Sequence, residues 1–188
     1  MNKTSVQILP VFFLTAAAAI LLIPLPWLFA WTMAAVIHEV FHLLAVYLFR
    51  YSVLSVTIGA GGARIETDMM PGIKMTVCAL AGPVGGLLLL GFLRIAPRLA
   101  LCGLIQSLYN LLPLSHLDGG RALYGIFISL FQPETAEQIS VLIERVMIFA
   151  LVIVAVYAFV VLRLGIIPVI FVSVLLFRNK KYLANKPS

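Results

Sequence analysis

Two histidines and a glutamate, His38, Glu39 and His42, stand in the otherwise apolar stretch AAVIHEVFHLLAV of a 188-residue chain with only three histidines and seven acidic residues. On a helix, residues four apart share a face with their Cβ atoms about 6 Å apart, a spacing that lets two imidazoles close on one tetrahedral metal ion. Glu39 is turned about 100° from His38, so its carboxylate can reach a water on that metal rather than the metal itself. HEVFH thus has the His-Glu-x-x-His form in which the histidines bind the ion and the glutamate is the general base. A polar packing site or a proton relay competes with this reading. An ionisable group at mid-membrane costs about 2.5 to 3.5 kcal/mol on insertion scales, so every reading demands a function for it.

Two histidines leave a metal site incomplete, because a catalytic zinc keeps three protein ligands and one open position. Glu66, Asp68, Glu134 and Glu137 fall in connections, and Glu144 sits beside Arg145 near an expected interface. Asp118, in NLLPLSHLDGGR, is then the acid that adjoins an apolar span, with His116 as a rival donor two residues away. Pro113 removes a backbone donor, and Gly119 and Gly120 loosen the chain, so a break is expected here. Broken helix at membrane depth is tolerated where protein or water lines it, as at a site. Asn110, eight residues before Asp118, can donate its amide to a substrate carbonyl or developing oxyanion.

The elements that must carry these residues are membrane helices. The composition is 63% hydrophobic and 11% charged, against roughly 25% charged for a soluble domain, which makes this an integral membrane protein. Prolines, glycines and charges divide the apolar sequence into six expected spans, residues 8 to 24, 27 to 49, 73 to 93, 97 to 117, 143 to 163 and 165 to 177. The first is expected to be an uncleaved span rather than a secretory signal. With both termini in the cytoplasm, only Arg94, Arg98 and Arg163 of the thirteen lysines and arginines fall outside. Residues 132 to 145 read either as an amphipathic interface helix or as a solvated connection. Cys78 and Cys102 lie far apart in apolar runs and signal neither a disulfide nor a metal knuckle. The net charge of +6 is scattered apart from the terminal RNKKYLANK, which excludes a nucleic-acid-binding face and suits a cytoplasmic flank.

Between the second and third spans, SVLSVTIGAGGARIETDM reads as strand, glycine turn and strand. The exposed edge of such a hairpin, at Val53, Val56 and Ile58, offers unpaired backbone groups to an extended partner segment.

HEVFH followed about 70 residues later by NLLPLSHLDGG resembles the site-2 protease family of intramembrane zinc metalloproteases. Asn110, Pro113, Leu117, Asp118, Gly119 and Gly120 carry that family's N-x-x-P-x-x-x-L-D-G-G pattern, and Ala81 to Pro83 resemble its AGP feature. The resemblance implies an all-α membrane protein with a catalytic core over residues 27 to 131. With no PDZ insert, the chain is similar to the six-span branch that includes the sporulation protease acting on a membrane-tethered pro-sigma factor; members of that branch often carry a CBS module after the last span, and none is expected in this sequence, where Arg178 to Ser188 follow. It also implies that His38, His42 and Asp118 bind one zinc ion, that Glu39 is base and then acid, and that Asn110 holds substrate or oxyanion. The expected substrate is a single-span protein in a bacterial cell membrane, such as a tethered transcription or sigma factor. Membrane regulatory partners are expected in place of a CBS module. Two positions depart from the family pattern: Phe41 stands where a small residue is usual before the second histidine, and Gly86 stands where an asparagine is usual. The rival from another class is a transporter or a metal or proton relay built on the same His and Asp residues, which predicts flux without proteolysis.

Overall fold

Helices begin where proline sets φ at a position whose N–H has no intrahelical partner anyway. Among the described residues five of seven helices have proline first or second: α1 (Pro10–Leu22), α2 (Leu25–Leu48), α4 (Pro97–Asn110), α6 (Pro133–Val160) and α7 (Ile167–Ala184). The other two are α3 (Gly72–Leu88), which passes into a 3-10 turn at Leu89–Phe92, and α5 (Asp118–Leu130). The computed structural model describes residues 5–59, 62–68, 70–163 and 165–184.

Three helical stretches among the described residues are long and apolar enough to cross a membrane by themselves: Leu25–Leu48, Gly72–Phe92 and Pro133–Val160. These correspond to the expected spans at residues 27 to 49, 73 to 93 and 143 to 163, while the first and last expected spans fall on the shorter apolar helices Pro10–Leu22 and Ile167–Leu176. The stretch expected at residues 97 to 117 is α4, which stops at Asn110; residues 111 to 117 are irregular, and α5 then resumes. Helices of 14 and 13 residues rise only about 20 Å each, short of a hydrocarbon core of about 30 Å. Leucines run through the break, so hydropathy hides it; Pro113 and the glycine pair betray it. Residues 133 to 145 are neither a separate interface helix nor a loop but the first turns of α6.

The sheet has the order β1-β2-β3, with β1 (Ser5–Ile8) parallel to β2 (Val53–Gly59) and β3 (Gly62–Thr67) antiparallel to it. Ser5 faces Ser55 and Ile8 faces Ile58, and the Leu9 amide donates to Ile58 O at 2.9 Å. The expected hairpin is present, with a register shift between Val53 and Ser55; residues 60 and 61 of its turn lie outside the described residues. The expectation that Val53, Val56 and Ile58 line a free edge is corrected for Val56 and Ile58, which the N-terminal strand meets at Val6 and Ile8; Val53 lies on the same central strand and pairs with Thr67 of β3. SVQI looked like the approach to an apolar span, and one sequence gave no sign that it pairs with residues fifty positions away.

The helices close on the small residues of α3. Cys78, Ala79, Gly82, Pro83, Gly85 and Gly86 are its buried positions, and such residues let helix backbones approach in a membrane. On one side α5 comes close enough for Thr76 Oγ1 to donate to Ala122 O at 3.0 Å. On another, Ser107 Oγ of α4 donates to Pro83 O at 2.9 Å, and Gln106 Nε2 donates to Trp31 O of α2 at 2.9 Å. Gln106 and Ser107 thus tie α4 to its two neighbours by interhelical hydrogen bonds.

The departure at Gly86 is explained by this packing. A Cβ there would overlap Ser107 Oγ and lie 3.0 Å from Gly103 O on α4. Restoring the family residue with Gly86→Asn should destabilise the protein by about 1 to 3 kcal/mol, the usual range for overpacking. Thermal unfolding in detergent should show the loss, and Ser107→Ala in the same chain should return part of it.

Candidate metal centre

α2 presents His38 and His42 one turn apart, and α5 brings Asp118 between them. His38 Nε2 lies 3.0 Å from Asp118 Oδ2, His42 Nε2 lies 3.2 Å from the same oxygen, and the two Nε2 atoms are 3.1 Å apart. Ligand atoms at about 2.0 to 2.1 Å from a tetrahedral ion are separated by about 3.3 Å, so this near-equilateral triangle fits one face of such a coordination sphere. His38 and Asp118 are buried and His42 is partly buried. Among the described residues, these three form the group that can hold a metal ion. Two imidazole nitrogens and one carboxylate oxygen are a donor set suited to zinc, and the three-ligand count leaves a position open.

Two of the three residues are held by a second contact or by local sequence, while the buried Nδ1 of His38 has no hydrogen-bond partner among the described residues. His42 Nδ1 donates to Cys78 O at 2.7 Å, which leaves Nε2 with its lone pair toward the centre, as metal-bound histidines require. Asp118 is the first residue of α5, where the positive end of the helix dipole favours a carboxylate. The two glycines after it have a steric reason. A Cβ at Gly119 would overlap Leu111 O, and one at Gly120 would overlap Leu114 O, so the irregular residues fold back across the first turn of α5 only if both positions lack side chains.

Gly82, in the AGP stretch, forms the wall opposite α2. A Cβ there would overlap His42 Nε2 and sit 2.7 Å from His38 Nε2. Three residues on, Gly85 explains the second departure: a Cβ at Gly85 would lie 2.5 Å from the Phe41 ring. The bulk placed on α2 by Phe41 is received by an empty position on α3. The ring points away from the histidine face, as its position on the helix requires.

Glu39, one residue on from His38 on α2, is partly exposed. It is not a member of the metal-holding group. His116 also stays outside that group. Asn110 ends α4, seven irregular residues before Asp118; its role as a carbonyl-holding residue rests on the motif. Glu144, expected near an interface, is instead buried at 5% exposure and accepts a hydrogen bond from the Ser115 amide at 3.3 Å. Its place in sequence beside Arg145 concealed this; its position one to two turns before Met147, Ile148 and Leu151 was the available signal.

Comparison with solved structures finds the site-2 protease from Methanocaldococcus jannaschii, with a TM-score of 0.66 over 96% of this chain and 92% of that one, at 17% identity. The chain shares that protein's fold. No family model matches the chain, and no curated protein matches it. With the site-2 protease fold, apolar helices of spanning length and a buried His2Asp cluster, the chain is a membrane protein whose core carries a potential metal site.

The geometry predicts that Gly82→Ala weakens metal binding at least tenfold although it replaces no ligand, because the new methyl group must displace an imidazole. Titration of metal-stripped protein with zinc against a competing chelator measures this. Binding equal to wild type would mean that α3 does not shape the site.

Proposed function

We propose that the chain is an intramembrane zinc metalloprotease that cleaves a membrane-tethered protein within or near the inner half of its transmembrane segment. The observation that carries this reading is the meeting of His38, His42 and Asp118 beside Glu39, inside a fold shared with a site-2 protease. His38, His42 and Asp118 would hold the zinc ion, which would supply Lewis acidity for activating water and polarising a peptide carbonyl.

The chain's own residues do the rest. Glu39 takes a proton from the attacking water and returns it to the leaving amine, the ordinary double duty of a general base next to such a site. Asn110 holds the substrate carbonyl and stabilises the charge that develops on it. α2 and α5 exclude bulk water from the ligands, so each polar contact there is stronger than it would be in solvent.

A helical substrate hides its carbonyls in its own hydrogen bonds and must become extended before attack. Sheet pairing stabilises an extended segment. Because β1 occupies one side of β2, the strand that can receive the substrate is an outer one; among the described residues β3 pairs on one side only. His38 lies ten residues from the end of α2, a rise of about 15 Å, which supports cleavage at depth rather than at the surface. With both termini cytoplasmic, that depth is the inner half, and the product is released to the cytosol. A single-span protein, such as a tethered transcription or sigma factor, is the fitting substrate class, and a bacterial cell membrane is the fitting location.

Glu39→Gln should lower cleavage of a co-expressed tethered substrate by a factor of about 100 to 10,000, the usual contribution of a positioned base, while bound zinc stays at wild-type stoichiometry. Immunoblotting of substrate and product, with metal analysis of the purified variant, reads both. Undiminished cleavage would remove the protease assignment, and metal or proton flux in vesicles without cleavage would favour a transporter.

A further inference from the structure

A carboxyl group in the body of a membrane helix is expensive, so its place among apolar neighbours calls for a reason. Glu144 is the twelfth residue of α6 and is 5% exposed. Met147, Ile148 and Leu151 follow it at helical spacings of three, four and seven, and pack against Leu114 and Leu117 of the irregular segment before α5. Glu144 thus belongs to the face of α6 that covers that segment, at a position where an apolar residue would continue the stripe. Its carboxylate goes to the Ser115 amide at 3.3 Å.

The amides of the turn show why. Leu111 donates to Ser107 O, Leu112 to Tyr109 O, Leu114 to Leu112 O and Leu117 to Leu114 O, while Pro113 has no N–H. Ser115 differs from these: its amide is met by a side chain from another helix. Leu114 and Leu117 are anchored apolarly from both α6 and α7, through contacts that include Leu175. Such contacts hold the turn in place but do not fix its rotation; a directed hydrogen bond three residues before Asp118 does.

We propose that Glu144 is a positioning residue for the metal centre: by accepting the Ser115 amide it sets the orientation of the turn that delivers Asp118 to His38 and His42. The inference rests on the metal-site reading above and extends it to a residue outside the ligand set.

The test is titration of the metal-stripped full-length protein with Co2+, read by the visible absorption of tetrahedral cobalt, together with thermal unfolding of each variant. Glu144→Met keeps side-chain length and removes both the buried carboxyl and the acceptor. A purely structural view expects the folded variant to bind cobalt normally, with unfolding lowered by no more than the loss of one buried acceptor from the Ser115 amide. The positioning role predicts a variant that still unfolds cooperatively, with binding measured well below its unfolding temperature at least tenfold weaker and with a changed cobalt spectrum. Glu144→Gln, whose amide oxygen accepts the same bond, should restore wild-type affinity and spectrum. Wild-type cobalt binding by Glu144→Met overturns the proposal, as does a glutamine variant as impaired as the methionine one, or a methionine variant that no longer folds. Failure of the unaltered protein to take up Co2+ would instead remove the metal-site reading itself.

Discussion

His38 Nε2, His42 Nε2 and Asp118 Oδ2 approach one another to 3.0 to 3.2 Å inside a helix bundle whose surroundings are almost entirely apolar. Polar groups so placed carry a desolvation penalty of about 1 to 3 kcal/mol each when their bonding is incomplete. Pooling three of them on one point is favourable when a cation shares their lone pairs, and that requirement orders the rest of the molecule. α2 must hold two imidazoles on one face, α5 must begin at the depth of those imidazoles, and α3 must let both come close.

α3 meets its part by omission. Gly82 leaves room for the imidazoles, Gly85 for Phe41, and Gly86 for Ser107. Each absent side chain corresponds to a neighbour on α2 or α4 that fills the space. Phe41 and Gly86, which differ from the family pattern, are therefore two fittings of one packing surface. The break between α4 and α5 follows the same logic, since Gly119 and Gly120 permit the turn to lie against the helix it starts. The exposed backbone of that turn is then answered from within the protein, as membrane depth demands.

The candidate metal cluster was legible in the sequence because its spacing is local to one helix for His38 and His42, and because few acids compete with Asp118. The hairpin was legible for a similar reason: β-branched runs flank a glycine turn. Three features were not. β1 is four residues long and owes its strand state to a partner near residue 55, a long-range pairing that no local propensity encodes. The break after α4 was expected from Pro113 and the glycine pair, but that a helix of its own resumes at Asp118 was not, since two glycines in its first turn argue against a helix start. The burial of Glu144 depends on which face of α6 meets the turn, and that is decided by packing rather than by the residue's own chemistry.

Zinc K-edge X-ray absorption on the purified protein, beside its Asp118→Ala variant, tests the central claim most directly. The account predicts a first shell of nitrogen and oxygen scatterers at about 2.0 to 2.1 Å, with the outer-shell signature of two imidazoles, and loss of zinc or of one shell atom in the variant. A sulfur scatterer at about 2.3 Å, which would bring in Cys78 or Cys102, or a spectrum indifferent to Asp118, would contradict it.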